Sequence, residues 1–293
     1  MLESAHFTLE ADAMTKINEQ DLAHLSLGKT TAYKAEYDPA LLQPVPRQLA
    51  RDLIGIAADQ PLPFVGYDVW HAYELSWLNL HGKPSVALAT VTVPYDSPNL
   101  IESKSFKLYL NSFNQTKFHD ITCVYQALQH DLSACAGKKV DVVLHHVNEL
   151  GSFQPTWLPG RCIDDLDVTI TQYDYDPGLL ARKSDDIVEE KLHSHLLKSN
   201  CLITSQPDWA SVFIHYRGAK IDEASLLRYL ISFRMHNEFH EQCVERIYQD
   251  LSALLAPEFL AVYARYTRRG GLDINPLRSS EAYTPPNLRL TRQ

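Results

Sequence analysis

The chain has 293 residues, 45% of them hydrophobic and 22% charged, which is enough apolar material for one large domain or two of ordinary size. Its formal net charge of −9 argues against a nucleic-acid backbone as the main partner. No window approaches the ~18 uninterrupted apolar residues of a membrane span, so neither nucleic acid nor membrane is expected as a partner. The five cysteines, Cys123, Cys135, Cys162, Cys201 and Cys243, are widely spaced and contain no C-x-x-C, a usage that suits a reducing cytoplasm. The start, Met1 to His6, has neither a basic cluster nor an apolar run, so no signal peptide is expected.

Residues 1 to about 50 read as a polar, irregular tail and entry segment. Tyr67 to Asn79 and Ser85 to Tyr95 have strand composition, and the turn chemistry of His81-Gly82-Lys83-Pro84 joins them as a hairpin. Helical runs follow from about Lys104 and from His119 to Ala134, then strands at Lys139 to Val147 and Asp165 to Tyr173. The second half repeats this grammar. Leu192 to Thr204 and Ala210 to Tyr216 read as strands around a turn at Gln206-Pro207-Asp208. Glu223 to Phe233 and Glu238 to Leu254 read as helices, and Phe259 to Thr267 as a strand before a Pro-rich end that closes a last one.

The repetition also shows in the residues. Tyr109-Leu110-Asn111-Ser112-Phe113 answers to Tyr229-Leu230-Ile231-Ser232-Phe233. Phe118-His119-Asp120 answers to Phe239-His240-Glu241, and Asp131-Leu132-Ser133-Ala134 to Asp250-Leu251-Ser252-Ala253. The expected fold class is therefore α+β, with two tandem β-β-α-α-β-β modules, each an antiparallel sheet with helices on one face. Residues 1–180 hold the tail and first module and 181–293 the second.

Two stretches carry chemistry. Cys201 and Asp208 lie seven residues apart. In a fully extended strand they would stand about 23 Å apart on opposite faces, but a bend at Gln206-Pro207 swings the carboxylate back towards the thiol. Such a pair is a nucleophile with a proton carrier beside it. Glu102, Ser103 and Lys104 precede a helix, where free backbone N–H groups favour anions; the same residues also suit an N-cap.

Ile101-Glu102-Ser103-Lys104-Ser105-Phe106-Lys107, Cys201 to Asp208, Phe239-His240-Glu241 and Arg268-Arg269-Gly270-Gly271 together resemble the NADPH-dependent 7-cyano-7-deazaguanine reductases. These are nitrile reductases of tRNA queuosine biosynthesis, and the resemblance is to their long form with two tunnelling-fold modules. It runs from about Leu25 to the C-terminus without departure at the motif positions. It implies that Cys201 adds to the nitrile carbon of the deazapurine to give a thioimide, with Asp208 managing the proton. It also implies that Glu102 and Glu241 hold the base, with Ile101, Ser103 and His240 beside it. Ser103, Lys104, Arg269 and Gly270 would hold NADPH, which reduces the nitrile to the aminomethyl group. A homodimer, the fold's usual way of completing its barrel, and a cytoplasmic setting follow from the same likeness. The chain has no G-x-G-x-x-G, so NADPH rests on the resemblance alone.

Two rival readings remain. His236, His240 and Cys243, at i, i+4 and i+7, suit one helix face and a zinc cyclohydrolase of the same fold, although no H-E-x-x-H is present and no metal ligand is assigned. A non-catalytic purine-binding protein would keep Glu102 and Glu241 without the chemistry of Cys201. Phe239 stands beside His240 and has the ring to stack on a base. Cys123, Cys135 and Cys162 read as small buried hydrophobes.

Overall fold

A computed structural model of the chain describes residues 33–148, 154–285 and 289–293. The first two dozen residues, outside the resemblance, also lie outside the described ones. The described chain begins with a 3₁₀ turn at Pro39–Leu41, strand β1 (Pro44–Pro46) and helix α1 (Arg47–Asp52). The first module continues with β2 (Val65–Leu78), β3 (Pro84–Pro94), β4 (Asn99–Ile101), α2 (Ser103–Asn111), α3 (Ile121–Ala136) and β5 (Asp141–His145). A two-residue strand, β6 (Arg161–Cys162), and a 3₁₀ turn at Pro177–Leu179 lead into the second module. That module comprises β7 (Arg182–Asn200), β8 (Pro207–Ile221), α4 (Glu223–Ser232), α5 (His240–Leu255), β9 (Phe259–Tyr266) and β10 (Leu272–Ser279).

Eight strands form one sheet in the order β5-β3-β2-β10-β9-β8-β7-β6. The modules meet where β10 pairs antiparallel with β2, Leu272 opposite Ala72 through Ser279 opposite Val65. Side-chain alternation sorts the two faces. Val212, Ile214 and Tyr216 of β8 and Val262, Ala264 and Tyr266 of β9 face α4 and α5. Trp70 and Ala72 of β2 and Leu272 and Ile274 of β10 face α2 and α3. Phe213, Tyr263 and Leu277 point the other way, into a smaller cluster closed by Leu158 and Leu290. Both helix pairs thus lie on one face of an antiparallel sheet, and the expected α+β tandem-module fold is the one formed. Each large apolar side chain withdrawn from water this way contributes about 1.5–3 kcal/mol.

Matched devices hold each helix pair. Tyr37 and Tyr109 both donate to Asp131 Oδ2, each at 2.6 Å. In the second module Tyr175 and Tyr229 donate to Asp250 Oδ2 at 2.8 and 2.5 Å. Tyr37-Asp38-Pro39 and Tyr175-Asp176-Pro177 open the two 3₁₀ turns in the same way, each Asp capping its own turn. This fourth repeat block escaped the sequence comparison because its two copies stand further apart than the others. One block is corrected. Asp120 is the N-cap of α3 and Phe239 holds that place on α5, so Glu241 answers to Thr122 rather than to Asp120.

Four further expectations change. The entry segment is not irregular to residue 50: Val45 pairs with Leu100, and α1 follows directly. The strand expected at Asp165 to Tyr173 does not form. Its would-be partner edge is already occupied, because Asp164 Oδ2 accepts from the backbone N–H of His195 at a bulge in β7. The turn between β7 and β8 is Cys201 to Gln206, and Pro207 opens β8 opposite Asn200. A proline is tolerated there because the first residue of a strand loses little by lacking a donor. Finally, Cys162 is exposed and Cys123 half-buried; only Cys135 of that trio is buried. Among the described residues no helix is long and apolar enough to cross a membrane.

Candidate active site

A cleft of about 440 Å³, part of it open to solvent, lies between the modules. It is lined by Ile101, Glu102 and Ser103 from the first module and by Cys201, Asp208, His240, Glu241 and Arg269 from the second. Eight of the ten residues assigned from sequence therefore converge within one chain. Lys104 and Gly270 do not line it.

The β7–β8 hairpin places the cysteine. Cys201 N–H donates to Gln206 O at 2.8 Å, and Ser205 N–H to Cys201 O at 3.0 Å, which closes the loop over a Ser205 φ of 53°. Cys201 is left 9% exposed at the loop's base, where it lines the cavity. Asp208 stands across the same hairpin, 4% exposed. Its Oδ1 lies 2.5 Å from Arg269 Nη2 and 3.2 Å from His240 Nε2. Arg269, expected on the cofactor, pairs with this carboxylate. His240 is fixed in turn by stacking on Tyr266, with centroids 3.8 Å apart and planes 6° from parallel. His240 Nδ1 is buried with no hydrogen-bond partner.

The two glutamates arrive on helix N-termini. Glu102 caps α2, accepting from the N–H of Lys104 at 2.6 Å and of Ser105 at 2.7 Å. The capping role weighed from sequence is real, and each carboxylate oxygen keeps a second lone pair for a ligand. Burial raises the Glu102 pKa. Glu241 lies in the first turn of α5, whose N-cap residue Phe239 supplies no side-chain cap. Burial first, and the charge of Asp68 second, push the Glu241 pKa up to about 7.

Beneath Glu241 runs a buried ionic network that sequence reasoning missed. Arg47 Nη2 donates to Asp68 at 2.6 Å, Arg278 Nη1 to Asp68 at 2.7 Å, and Arg278 Nη2 and Arg51 Nη2 to Glu245 at 2.9 Å each. It ties α1, β2, β10 and α5 together, and its members lie up to 231 positions apart, from Arg47 to Arg278, a separation that no local pattern exposes. Lys107 was also missed as a site residue, though it sits in the quoted motif. Burial first, and Arg269 second, lower its pKa. Its side chain packs on Gly270, where an added Cβ would come within 3.0 Å of Lys107 Cδ. Gly270 and Gly271 both take left-handed φ, +58° and +74°, which a residue with a Cβ adopts only under strain. The remaining lining is Glu238, which accepts from Arg246 Nη2 at 2.6 Å, and the apolar Val45, Trp70, Leu100, Leu202, Phe239 and Ile274.

The zinc arrangement is not formed by His236, His240 and Cys243. His236 lies in extended backbone before α5 begins at His240, so the three never share a helix face.

The architecture is that of a two-module α+β protein whose cavity is lined by a cysteine and by carboxylates from both modules. A family profile described as nitrile reductase, 7-cyano-7-deazaguanine-reductase N-terminal domain, matches residues 33–144, and one described as QueF-like protein matches residues 207–284. Between them they cover well over half of the chain, and the chain belongs to the 7-cyano-7-deazaguanine reductase family of nitrile reductases in the queuosine pathway. The crystal structure of the archaeosine synthase QueF-Like in the apo form is similar at 21% identity, covering 35% of this chain and 100% of that chain, with a TM-score of 0.29.

Proposed function

We propose that this chain reduces the nitrile of 7-cyano-7-deazaguanine to the aminomethyl group with two equivalents of NADPH and two protons, through a thioimide on Cys201. The observation that supports this most is the meeting of Cys201, Asp208, Glu102 and Glu241 in one cavity, with both modules contributing.

The Cys201 sulfur adds to the nitrile carbon; one C–N π bond breaks, and the thiol proton passes to the nitrile nitrogen. Asp208 carries that proton, poised by Arg269 and His240. No atom leaves in this step. Glu102 and Glu241 accept from the ring N–H and amino group of the base, and the unpartnered His240 Nδ1 adds a polar contact. Phe239 and Trp70 offer apolar surface to the ring system.

The cationic corner suits the cofactor. Lys107 with its depressed pKa, Arg269 and the left-handed Gly270-Gly271 turn make an anion-accepting surface, with Ser103 and Lys104 on the adjacent N-terminus of α2. Bound there, NADPH supplies the hydride, twice per nitrile. A homodimer, a cytoplasmic setting and the division into modules at residues 1–180 and 181–293 belong to the same reading.

Mixing the protein with 7-cyano-7-deazaguanine in the absence of NADPH tests it by intact mass. The expected result is a gain of one substrate mass per chain, mapped to Cys201, absent in Cys201→Ala and discharged as the amine when NADPH is added. Tight binding with neither adduct nor turnover would make the protein a purine binder, and an adduct on Cys243 would move the chemistry elsewhere.

A further inference from the structure

Far from that cavity, the sheet's outer edge gathers Cys162, His193 and His195. Their sulfur and one nitrogen of each ring all lie within 4.8 Å of one another. We propose that these three residues bind a divalent transition-metal ion of borderline softness, Zn²⁺ by preference, which pins the connection between the modules to the sheet. The cluster is the one such group among the described residues.

The fold builds it from two strands. Cys162 pairs with His193 where β6 runs parallel to β7, and His195 follows two residues on, at the bulge. Each imidazole is already oriented through its Nδ1. His193 Nδ1 lies 3.1 Å from Pro159 O, and His195 Nδ1 lies 2.8 Å from Ser211 Oγ. A carbonyl can only accept, so His193 carries its proton on Nδ1 and its lone pair on Nε2; the same tautomer of His195 satisfies Ser211. Such hydrogen bonds on the far nitrogen are what orients metal-ligating histidines.

Asp164 completes the surroundings. Its carboxylate accepts from Ser194 Oγ at 2.6 Å and from His195 N–H at 2.9 Å, which locks the loop that bears Cys162. It also places a negative charge beside a site that would carry one net positive charge with Zn²⁺ and a thiolate. Donors around a tetrahedral zinc sit roughly 3.3–3.7 Å apart. Cys162 is exposed, so its side chain can rotate to close the remaining gap, and solvent offers the fourth ligand. Binding replaces the Cys162 S–H bond with a metal–sulfur bond and releases that proton to solvent.

The site is separate from the nitrile chemistry. His193 lies eight residues before Cys201 along β7, roughly 25 Å at ~3.3 Å per residue. Its role is structural: β6 is only two residues long, and a metal bond adds what its short ladder lacks.

The experiment uses the full chain, stripped with a chelator and titrated with Co²⁺ as the spectroscopic stand-in. One equivalent should bind with a thiolate-to-cobalt charge-transfer band, and Zn²⁺ should displace it. Cys162→Ser should lose the band, and His195→Gln should weaken Co²⁺ binding about 10–100-fold. Nitrile-reductase turnover should survive in both variants. Zinc should slow proteolysis between residues 156 and 176 in the wild type but not in Cys162→Ser. Absence of the band in the wild-type chain, or an undiminished band in Cys162→Ser, overturns the site. If Cys162→Ser does not fold, His195→Gln decides alone: unchanged affinity overturns the proposal.

Discussion

Each module has two equivalent helix N-termini, and the two modules use them in different ways. In the first module α2 begins at the cavity with Glu102, whereas its counterpart α4 begins away from it with an ordinary cap, Asp222 accepting from Ser225 N–H. In the second module the roles are reversed. Helix α5 opens into the cavity with Phe239, His240 and Glu241 and no side-chain cap, while its counterpart α3 is capped by Asp120 through Cys123 N–H. The Tyr–Asp ties that hold each helix pair are the same in both. Scaffold is therefore duplicated and the cavity lining is divided: it draws on the first helix of one module and the second helix of the other. An uncapped helix start gives up about 1 kcal/mol of stability and leaves N–H groups free for a ligand.

The hairpin of the second module has no counterpart cysteine, so the sharpest break falls there. Asp208→Asn should cut turnover by about 10²- to 10⁴-fold, because an amide neither takes nor returns the thiol proton. Single-turnover kinetics and adduct formation by mass should both show it, and a rate within a few-fold of wild type would remove Asp208 from proton transfer. Next in size is base recognition. Glu241→Ala should weaken substrate binding by about 2–4 kcal/mol in a calorimetric titration, since it leaves buried ligand donors unpaired. Its counterpart Thr122→Ala should leave affinity unchanged.

Glu241 also predicts a pH dependence. Its folded pKa is raised to about 7, and only the ionised form can accept both donors. Affinity should therefore be full above that pH and fall about tenfold per unit well below it. A flat profile between about pH 5.5 and pH 8 would show that Glu241 does not accept from the ligand as a carboxylate.

The shared scaffold is tested by Asp131→Asn and Asp250→Asn. Each replaces a carboxyl group that accepts from two tyrosine hydroxyls by an amide, and each should cost about 1–3 kcal/mol in chemical denaturation, to a similar extent in the two modules. A large loss from one and none from the other would break the equivalence. Smallest is Asp120→Ala, expected to lower stability by about 1 kcal/mol with turnover untouched, because that cap lies outside the cavity.

Local chemistry was enough to read the helices, the long hairpin strands and the tandem repeat, because periodicity and turn residues act within a few positions of one another. It was also enough to single out Cys201, Asp208 and Glu102, whereas Glu241 entered only through the resemblance to the reductase family. Where those groups would meet, and what would hold them, depended on contacts between distant segments. Val45 reaches the cavity only because β1 pairs with β4. Arg269 pairs with Asp208, and Arg47, Arg51 and Arg278 join Asp68 and Glu245 across the sheet. The strand expected after Asp164 failed for the same reason: its own propensity was adequate, but Asp164 had already taken the His195 N–H at that edge. Pairing partners, burial and the fields they create are properties of packed neighbours, and those neighbours exist only once the two modules close into a single sheet.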